Sequence, residues 1–478
     1  MSMLSEKRVE SMTASELEWL VAVMLDEYLT APELKDLCAT RGFPAAGPSK
    51  REWAAVAKAR FLEPTGLREA MAKLDPTWVK VMHRLAVSPS PVRLRLLRPF
   101  LEPDSSYTGD YRVLWRRVTA GLLSRGVVLA VDGGADPWVD SRFGRFHLLV
   151  PPSFSSYLPP FPIEAMKVSG RGHTGRLSHS LSAAIEAFTS MSLTGNKPGS
   201  TWAGRMASQL QLNAGILTLS QVEHPTLEAI SRTVERIWYQ SLVPQKAGTN
   251  SRDPKQGNDA GMVTHYVLRH LQPEAACSAR ALAKSIVPFG MTVTPADITA
   301  FCDVGVELGL LERFGTGGES LFRTSSEASS VTGSVEFGSE LGGAFVAART
   351  ASLLPLLQVA TVSRTTIKPG GFLFEPDPIR AGRSWHELPH QLQAGLRAAS
   401  KAFDETAGLL EARSGQVIVH RGLSILCVED AGLRALLLLR FPTAVRALEG
   451  EYISCLAGAV DELVAFAKKE GFVSRRFS

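Results

Sequence analysis

Apolar residues recur every three or four positions along the first hundred residues, which predicts a series of short amphipathic helices. Over residues 13–29 the apolar stripe follows Thr13 and Glu16, whose spacing is that of a capping box at a helix start. A second start comes at once, because Thr30 and Glu33 have the same spacing. The pattern therefore predicts two consecutive helices at the beginning of the chain.

A further helix is predicted over residues 50–62, after a turn rich in proline, alanine and glycine. The residues around this turn are Leu34-Lys35, Arg41-Gly42-Phe43 and Gly47-Pro48-Ser49-Lys50. They resemble a SAP motif, a small helix–turn–helix module associated with DNA binding. Ala46 departs from the usual serine of that motif, and the turn is one residue longer. The resemblance covers less than a tenth of the chain.

The SAP resemblance implies that this region contacts the phosphates of double-stranded DNA. The residues that would make the contacts are Lys35, Arg41, Lys50 and Arg51. Contacts of this kind supply affinity and salt dependence, and they do not read the base sequence. The alternative is an ordinary helical hairpin whose basic end is solvated.

The next pattern is three helices followed by two strands. The helices are predicted over residues 76–87, 91–101 and 111–125, and the strands over residues 127–132 and 143–150, with a connecting wing up to residue 140. This order resembles a winged helix, in which the third helix usually enters the major groove of DNA.

The distribution of charged residues agrees with the winged-helix resemblance. From residue 80 to residue 125 there are nine Lys or Arg residues and three Asp or Glu residues. The candidate DNA-binding residues here are Arg93, Arg95, Arg112, Arg116 and Arg117. Two alternatives stay open: the cations form a solvated helix face, or they meet an acidic protein partner.

Residues 167–205 are basic and rich in glycine, and residues 244–260 read as an exposed loop. A second pattern of three helices and a hairpin follows over residues 262–325. Its third helix carries Asp297, Asp303 and Glu307 and no basic residue, so DNA would repel it. We expect this second winged-helix-like unit to serve packing or protein contacts.

The remainder of the chain mixes strands and helices. Strands are predicted over residues 371–374, 416–419 and 423–428, and helices over residues 431–439 and 452–469. The fold class expected is a mainly α, multidomain protein with α+β parts. Its predicted regions are a helical SAP-like region (1–72), a winged-helix-like domain (73–160), a helical basic region (161–250), a second winged-helix-like domain (251–330) and a C-terminal α+β domain (331–478).

Signatures of catalysis and metal binding are absent from the sequence. There is no phosphate-binding loop, no HExxH and no GxSxG, and the five cysteines form no CxxC pair. We therefore expect no enzyme activity, no metal and no cofactor, and we expect buried free thiols. A weaker alternative is a metal-dependent nuclease, because Glu375 and Asp377 follow a predicted strand and precede Arg380. Lys368 lies on the far side of the intervening glycines.

Composition places the chain among soluble globular proteins. Its 478 residues include 52 Lys or Arg against 47 Asp or Glu, and 45% are apolar. No secretory signal opens the sequence and no apolar run is long enough for a membrane span, so we expect a cytoplasmic protein.

The overall layout resembles bacterial helicase-associated accessory proteins, which sit with DNA translocases or in phage-defence systems. This resemblance implies a non-catalytic subunit that binds double-stranded DNA and a protein partner such as a helicase or an ATPase. The alternative is a scaffold whose winged-helix-like units bind only protein, because fold alone does not decide function.

Overall fold

The computed structural model describes residues 7–472, apart from 102–110, 135–142, 198, 221, 223–224, 243–253, 317–318, 326–333 and 414–422. Most of the described residues are helical, and the strands form antiparallel sheets of two to four strands. Contacts divide the chain into two compact parts, Met1–Asp404 and Glu405–Ser478, here called the N-terminal and C-terminal parts. The expected class, a mainly α, multidomain protein with α+β regions, is confirmed.

The chain begins with short helices whose starts are fixed by side-chain caps. They are α1 (Ala14–Val23), a π-helical turn (Met24–Tyr28), α2 (Ala31–Thr40), α3 (Lys50–Arg60) and α4 (Leu67–Ala72). Thr13, Thr30 and Ser49 each form a capping box with the glutamate three residues later. The predicted starts at Thr13 and Thr30 are confirmed, and α2 packs on α3 as a helical hairpin.

Residues 76–149 form the first helix–hairpin unit. Its elements are α5 (Pro76–Ala86), β1 (Val92–Arg93), a 3-10 turn (Leu94–Leu97), α6 (Arg98–Leu101), α7 (Tyr111–Gly121), β2 (Leu129–Asp132) and β3 (Phe146–Leu149). The sheet order is β1-β3-β2. The single helix predicted over residues 91–101 is wrong at its start, because Val92 pairs with Leu148 in the sheet. Residues 135–140 of the predicted wing lie outside the described residues.

Residues 166–239 combine helices with a strand hairpin. The elements are β4 (Met166–Lys167), α8 (Leu177–Thr194), α9 (Trp202–Ala207), β5 (Leu210–Asn213), β6 (Ile216–Leu219) and α10 (Leu227–Tyr239). The β5–β6 turn is made by Ala214 and Gly215, whose φ angles are 49° and 74°. Two consecutive positive φ angles match the twist of a two-residue hairpin, which interrupts the helical pattern predicted there.

Residues 254–324 form the second helix–hairpin unit, with the same order of elements as the first. They are α11 (Pro254–Arg269), β7 (Ala275–Ser278), α12 (Ala279–Ile286), a 3-10 turn (Val287–Phe289), α13 (Pro295–Glu307), β8 (Leu311–Thr316) and β9 (Glu319–Thr324). The sheet order is β4-β7-β9-β8, so β9 lies between β7 and β8 as β3 lies between β1 and β2. Helix α11 begins inside the loop predicted over residues 244–260.

A four-stranded sheet of order β10-β11-β13-β12 completes the N-terminal part. The elements from here on are β10 (Gly338–Glu340), β11 (Gly343–Ala347), α14 (Leu353–Ala360), β12 (Ser363–Lys368), β13 (Gly371–Pro376), α15 (Pro378–Ser384), α16 (His390–Ala399) and α17 (Lys401–Arg413). Helix α8 packs on this sheet, with the rings of Phe188 and Phe372 stacked at 6.4 Å. The strand predicted over residues 371–374 is confirmed.

The C-terminal part is a three-stranded sheet covered by helices on one face. After the end of α17, which crosses the boundary at Asp404, its elements are β14 (Leu423–Cys427), α18 (Ala431–Arg440), β15 (Val445–Ala447), β16 (Tyr452–Leu456) and α19 (Val460–Lys469). The sheet order is β14-β16-β15. The helix predicted over residues 452–469 begins only at Val460, because Tyr452–Leu456 is the central strand. The strand predicted over residues 416–419 lies outside the described residues.

Candidate nucleic-acid interface

Helix α7 has one buried side and one cationic side. The buried side includes Leu114 and Trp115, and the indole of Trp115 stacks on the ring of Phe146 in β3 at a centroid distance of 4.1 Å. This packing fixes the rotation of the helix about its axis. The exposed side carries Arg112, Val113, Arg116 and Arg117.

Three predicted DNA-binding residues thus lie on the exposed side of α7. Arg112 and Arg116 are neighbours, since positions four apart share a helix face, and Arg117 lies at the other edge of this side. Arg116 makes no hydrogen bond or ion pair with another described residue, so its guanidinium is available to a ligand. Val113 is 50% exposed between these arginines. Nothing in the sequence singles out Val113, since a lone apolar residue between arginines gives no signal of exposure.

Arg93 and Arg95 lie at the start of the same unit. Both side chains are half-buried, and Arg93 pairs with His147 across the β1–β3 ladder. The same segment reaches the first turn of α7, where the guanidinium carbon of Arg98 lies 5.3 Å from the ring centroid of Tyr111. Arg98 therefore lies beside the N-terminal end of α7.

The SAP-like hairpin presents fewer free cations than the sequence predicts. Lys35 and Arg51 are exposed. Lys50 is half-buried and is held at the surface of the π-helical turn, because its Nζ donates a hydrogen bond of 2.5 Å to the carbonyl oxygen of Asp26. Lys58 forms an ion pair with the Asp26 carboxylate, also at 2.5 Å. Two lysines of α3 thus neutralise and cap the end of the π-helical turn.

The predicted contact between Arg41 and DNA is wrong, because the side chain is completely buried. Its Nε donates to the carbonyl oxygen of Thr65 at 2.9 Å, and Nη1 donates to that of Gly126 at 2.6 Å. Nη2 donates to the carbonyls of Phe61 and Glu63. Burial lowers the pKa of Arg41 to about 10, so the guanidinium is still charged at neutral pH.

Three aromatic rings surround this buried charge. The centroids of Phe43, Phe61 and Phe154 lie 5.1, 5.8 and 5.4 Å from the guanidinium carbon of Arg41. The ring faces and the carbonyl oxygens together replace water around the cation. Because Gly126 and Phe154 flank the β2–β3 hairpin, Arg41 ties the SAP-like hairpin to the first helix–hairpin unit.

The third helix of the second unit is arranged differently. Trp238 of α10 is fully buried and stacks on Phe301 of α13 at 4.6 Å. Its Nε1–H also donates to the Phe301 carbonyl oxygen at 2.9 Å. A side chain at Gly305 would lie within 2.6 Å of this indole, so glycine permits the close approach of the two helices. The Asp303 carboxylate is paired with Arg313 at 3.2 Å.

The residues of the nuclease alternative do not converge. Asp377 accepts hydrogen bonds from the amides of Ile379 and Arg380, so it caps α15. Glu375 pairs with Arg364 on β12, whereas Lys368 pairs with Gly371 at the opposite end of the hairpin. Within the described ranges, no group of three or more His, Cys, Asp or Glu side chains is placed to hold a metal ion.

At the junction of the two helix–hairpin units, a buried histidine serves as a hydrogen-bonding residue of the core. His83 of α5 is fully buried; its Nδ1 lies 2.9 Å from the hydroxyl of Tyr266 in α11, and its Nε2 lies 2.8 Å from the carbonyl oxygen of Pro159. Burial lowers the pKa of His83 to about 4, which keeps the ring neutral at pH 7.

The expectation of buried thiols is wrong for Cys427, which is exposed.

Comparison of the chain with protein-family models and with curated proteins finds no match. Across the part of the chain that the structure describes, no helix combines the length and the hydropathy that a bilayer crossing requires.

Proposed function

We propose that the chain is a non-catalytic accessory protein of the cytoplasm that binds double-stranded DNA through the first helix–hairpin unit. The observation that carries this proposal is the exposed side of α7, where Arg112, Arg116 and Arg117 stand together opposite a buried apolar side. A helix with this distribution suits the major groove of B-DNA, which is wide enough to admit it. The element order and the β1-β3-β2 sheet support a winged-helix arrangement.

The three arginines bind phosphate oxygens in this proposal. Phosphate contacts release counterions from DNA, so they make affinity fall steeply as salt rises. Arg51 and Lys35 add exposed charge on the SAP-like hairpin, which Arg41 holds to the same unit. The resulting affinity is independent of the DNA sequence to a first approximation.

The second part of the proposal is a protein partner, namely a DNA-translocating helicase or ATPase of a phage-defence or related system. This part is supported by the resemblance in layout and by the second helix–hairpin unit. That unit has the order of the first, yet its third helix is acidic and packed under α10. Such a unit fits a role in assembly better than a role on DNA.

The decisive experiment is a gel-shift titration of the full chain with a generic duplex at several salt concentrations. The variant is Arg112→Gln, Arg116→Gln and Arg117→Gln combined. We expect its affinity to fall on the order of a hundredfold and the slope of log K against log salt to shrink by about 2.7.

The control removes three exposed arginines elsewhere, by Arg232→Gln, Arg280→Gln and Arg383→Gln. It carries the same net charge, so an equal loss would mean that only total charge matters. An unchanged affinity of the α7 variant would refute the proposal that DNA binds this side of α7. If the wild type gave no gel shift at all, the scaffold alternative would be favoured.

A further inference from the structure

The sheet of the C-terminal part has an apolar face that neither α18 nor α19 covers. Its core cluster takes residues from α18, α19 and the inner side of the sheet, including Leu433, Leu463 and Ile453. Both helices therefore lie on the inner face. The outer face is left to Leu423, Ile425, Cys427, Tyr452, Ser454, Leu456, Arg446 and Leu448.

The ladder register places these side chains side by side. Leu423 pairs with Leu456, Ile425 pairs with Ser454, and Cys427 pairs with Tyr452. Ile425 is 67% exposed and Leu456 is 52% exposed. The uncovered face of an antiparallel sheet usually carries polar residues, so the neighbouring exposed side chains of Leu423, Ile425 and Leu456 mark a site of interaction.

Acidic residues gather at one end of this face. Glu429 follows β14 and Glu451 precedes β16, and both raise the pKa of the Cys427 thiol after the effect of desolvation. Glu449 is exposed in the same turn. The guanidinium of Arg434 donates to the carbonyl oxygen of Gly450 and acts to lower the pKa of Cys427, so it offsets one of these three negative charges. An anionic end disfavours nucleic acid and favours a cationic ligand.

We propose that this outer face of the β14-β16-β15 sheet docks a segment of another protein that combines apolar side chains with lysine or arginine. The apolar side chains cover Ile425 and Leu456, and the cations meet Glu429 and Glu451. Strand β14 is also an edge strand, so an extended segment can add to the sheet by backbone hydrogen bonds. This inference rests on the protein-partner half of the proposed function and is independent of the DNA half.

The probe is placed on the peptide, because Cys427 itself lies on the outer face and a dye attached to it would cover that face. Two synthetic twelve-residue peptides with an N-terminal fluorescein, one alternating Leu and Lys and the other alternating Leu and Glu, are titrated with the full chain. We expect the fluorescence anisotropy of the Leu-Lys peptide to rise, with binding about tenfold tighter than for the Leu-Glu peptide.

Two sets of variants connect the signal to the face. Ile425→Ser with Leu456→Ser should weaken binding of the Leu-Lys peptide by about tenfold. Glu429→Gln with Glu451→Gln, which change only exposed loop positions, should bring the affinities of the two peptides together. The matched control is Leu439→Ser, since Leu439 is 81% exposed on α18 and lies off the sheet.

Equal affinity for the two peptides would overturn the proposal, and so would binding that is unchanged by the Ile425→Ser/Leu456→Ser or Glu429→Gln/Glu451→Gln variants. A dimer in sedimentation equilibrium that Ile425→Ser dissociates would also overturn it, because a second copy would then occupy the face. Gel shifts with duplex DNA should be unchanged in these variants, so failure here is distinguishable from failure of the DNA proposal.

Discussion

The two helix–hairpin units share a plan and differ in what their third helices meet. Both run helix, strand, helix, helix, strand, strand, and in both the last strand lies at the centre of the sheet. Each third helix is followed by a glycine with a positive φ angle, Gly126 at 63° and Gly309 at 72°, which turns the chain into the hairpin. Yet α7 exposes arginines, whereas α13 packs under Trp238.

The surroundings of the two sheets differ as well. In the second unit an extended segment occupies both sheet edges, because β4 pairs with β7 and His173 bridges to Arg313 in β8. In the first unit the SAP-like region packs on the hairpin, with the ring of Tyr28 4.8 Å from that of Phe146. One topology therefore supports two surfaces, and side chains decide which one suits DNA.

The largest effect is expected at the residue that fixes the SAP-like hairpin to the first unit. Arg41→Met should lower the free energy of unfolding by about 3–5 kcal/mol, because several buried carbonyl oxygens would lose their donor. Urea denaturation measures this loss. Arg60→Met is the control, since Arg60 is exposed on α3 and its loss should cost less than about 0.5 kcal/mol.

A result below about 1 kcal/mol for Arg41→Met would mean that the hairpin is not joined to the unit through this side chain. The two units would then differ less than the structure indicates, because the first would fold without its N-terminal attachment.

Arg41 also shows where sequence reasoning stops. Its place in Arg41-Gly42-Phe43 resembles the SAP pattern, and the starts of α2 after Thr30 and of α3 at Lys50 are predicted correctly from periodicity and spacing. Its burial depends on Phe154 and on the turn at Gly126, which are distant in sequence. Local patterns carry no information about such long-range contacts.

The candidate interface was predictable only where local spacing along the chain determines it. Spacing alone makes Arg112 and Arg116 neighbours on the helix surface, and the structure leaves both of them and Arg117 exposed. The strand at Val92 escaped prediction because two residues are too few to show a period, and only pairing with Leu148 defines it. The direction of Lys50 towards Asp26 likewise depends on tertiary packing.

An intermediate effect is expected at the junction between the first helices of the two units. Because the pKa of His83 is about 4 in the folded chain and about 6.5 when unfolded, the unfolded state binds more protons between these pH values. The free energy of unfolding should therefore decrease as pH falls through this window, by up to about 1.4 kcal/mol per pH unit from this group.

Chemical denaturation at pH 7, 6 and 5 tests the junction, with His83→Gln as the variant. A neutral glutamine can still donate to the carbonyl of Pro159, and it cannot be protonated in this range. The free energy of unfolding of the variant should depend less steeply on pH than that of the wild type. His265, whose pKa is lowered to about 3 by burial, contributes to the pH dependence of both proteins. Equal slopes would mean that His83 is not held neutral by burial at this junction.

The smallest effect is expected from neutralising the third helix of the second unit. Asp303→Asn with Glu307→Gln removes two negative charges that lie on or near the surface of α13. If DNA lies only on α7, these charges are screened from it at 0.15 M salt, and affinity in the gel shift should change less than about twofold. Arg116→Gln, measured beside it, should weaken binding by about fivefold or more. A gain of about tenfold in the acidic-helix variant would place DNA on both units and remove the contrast between them.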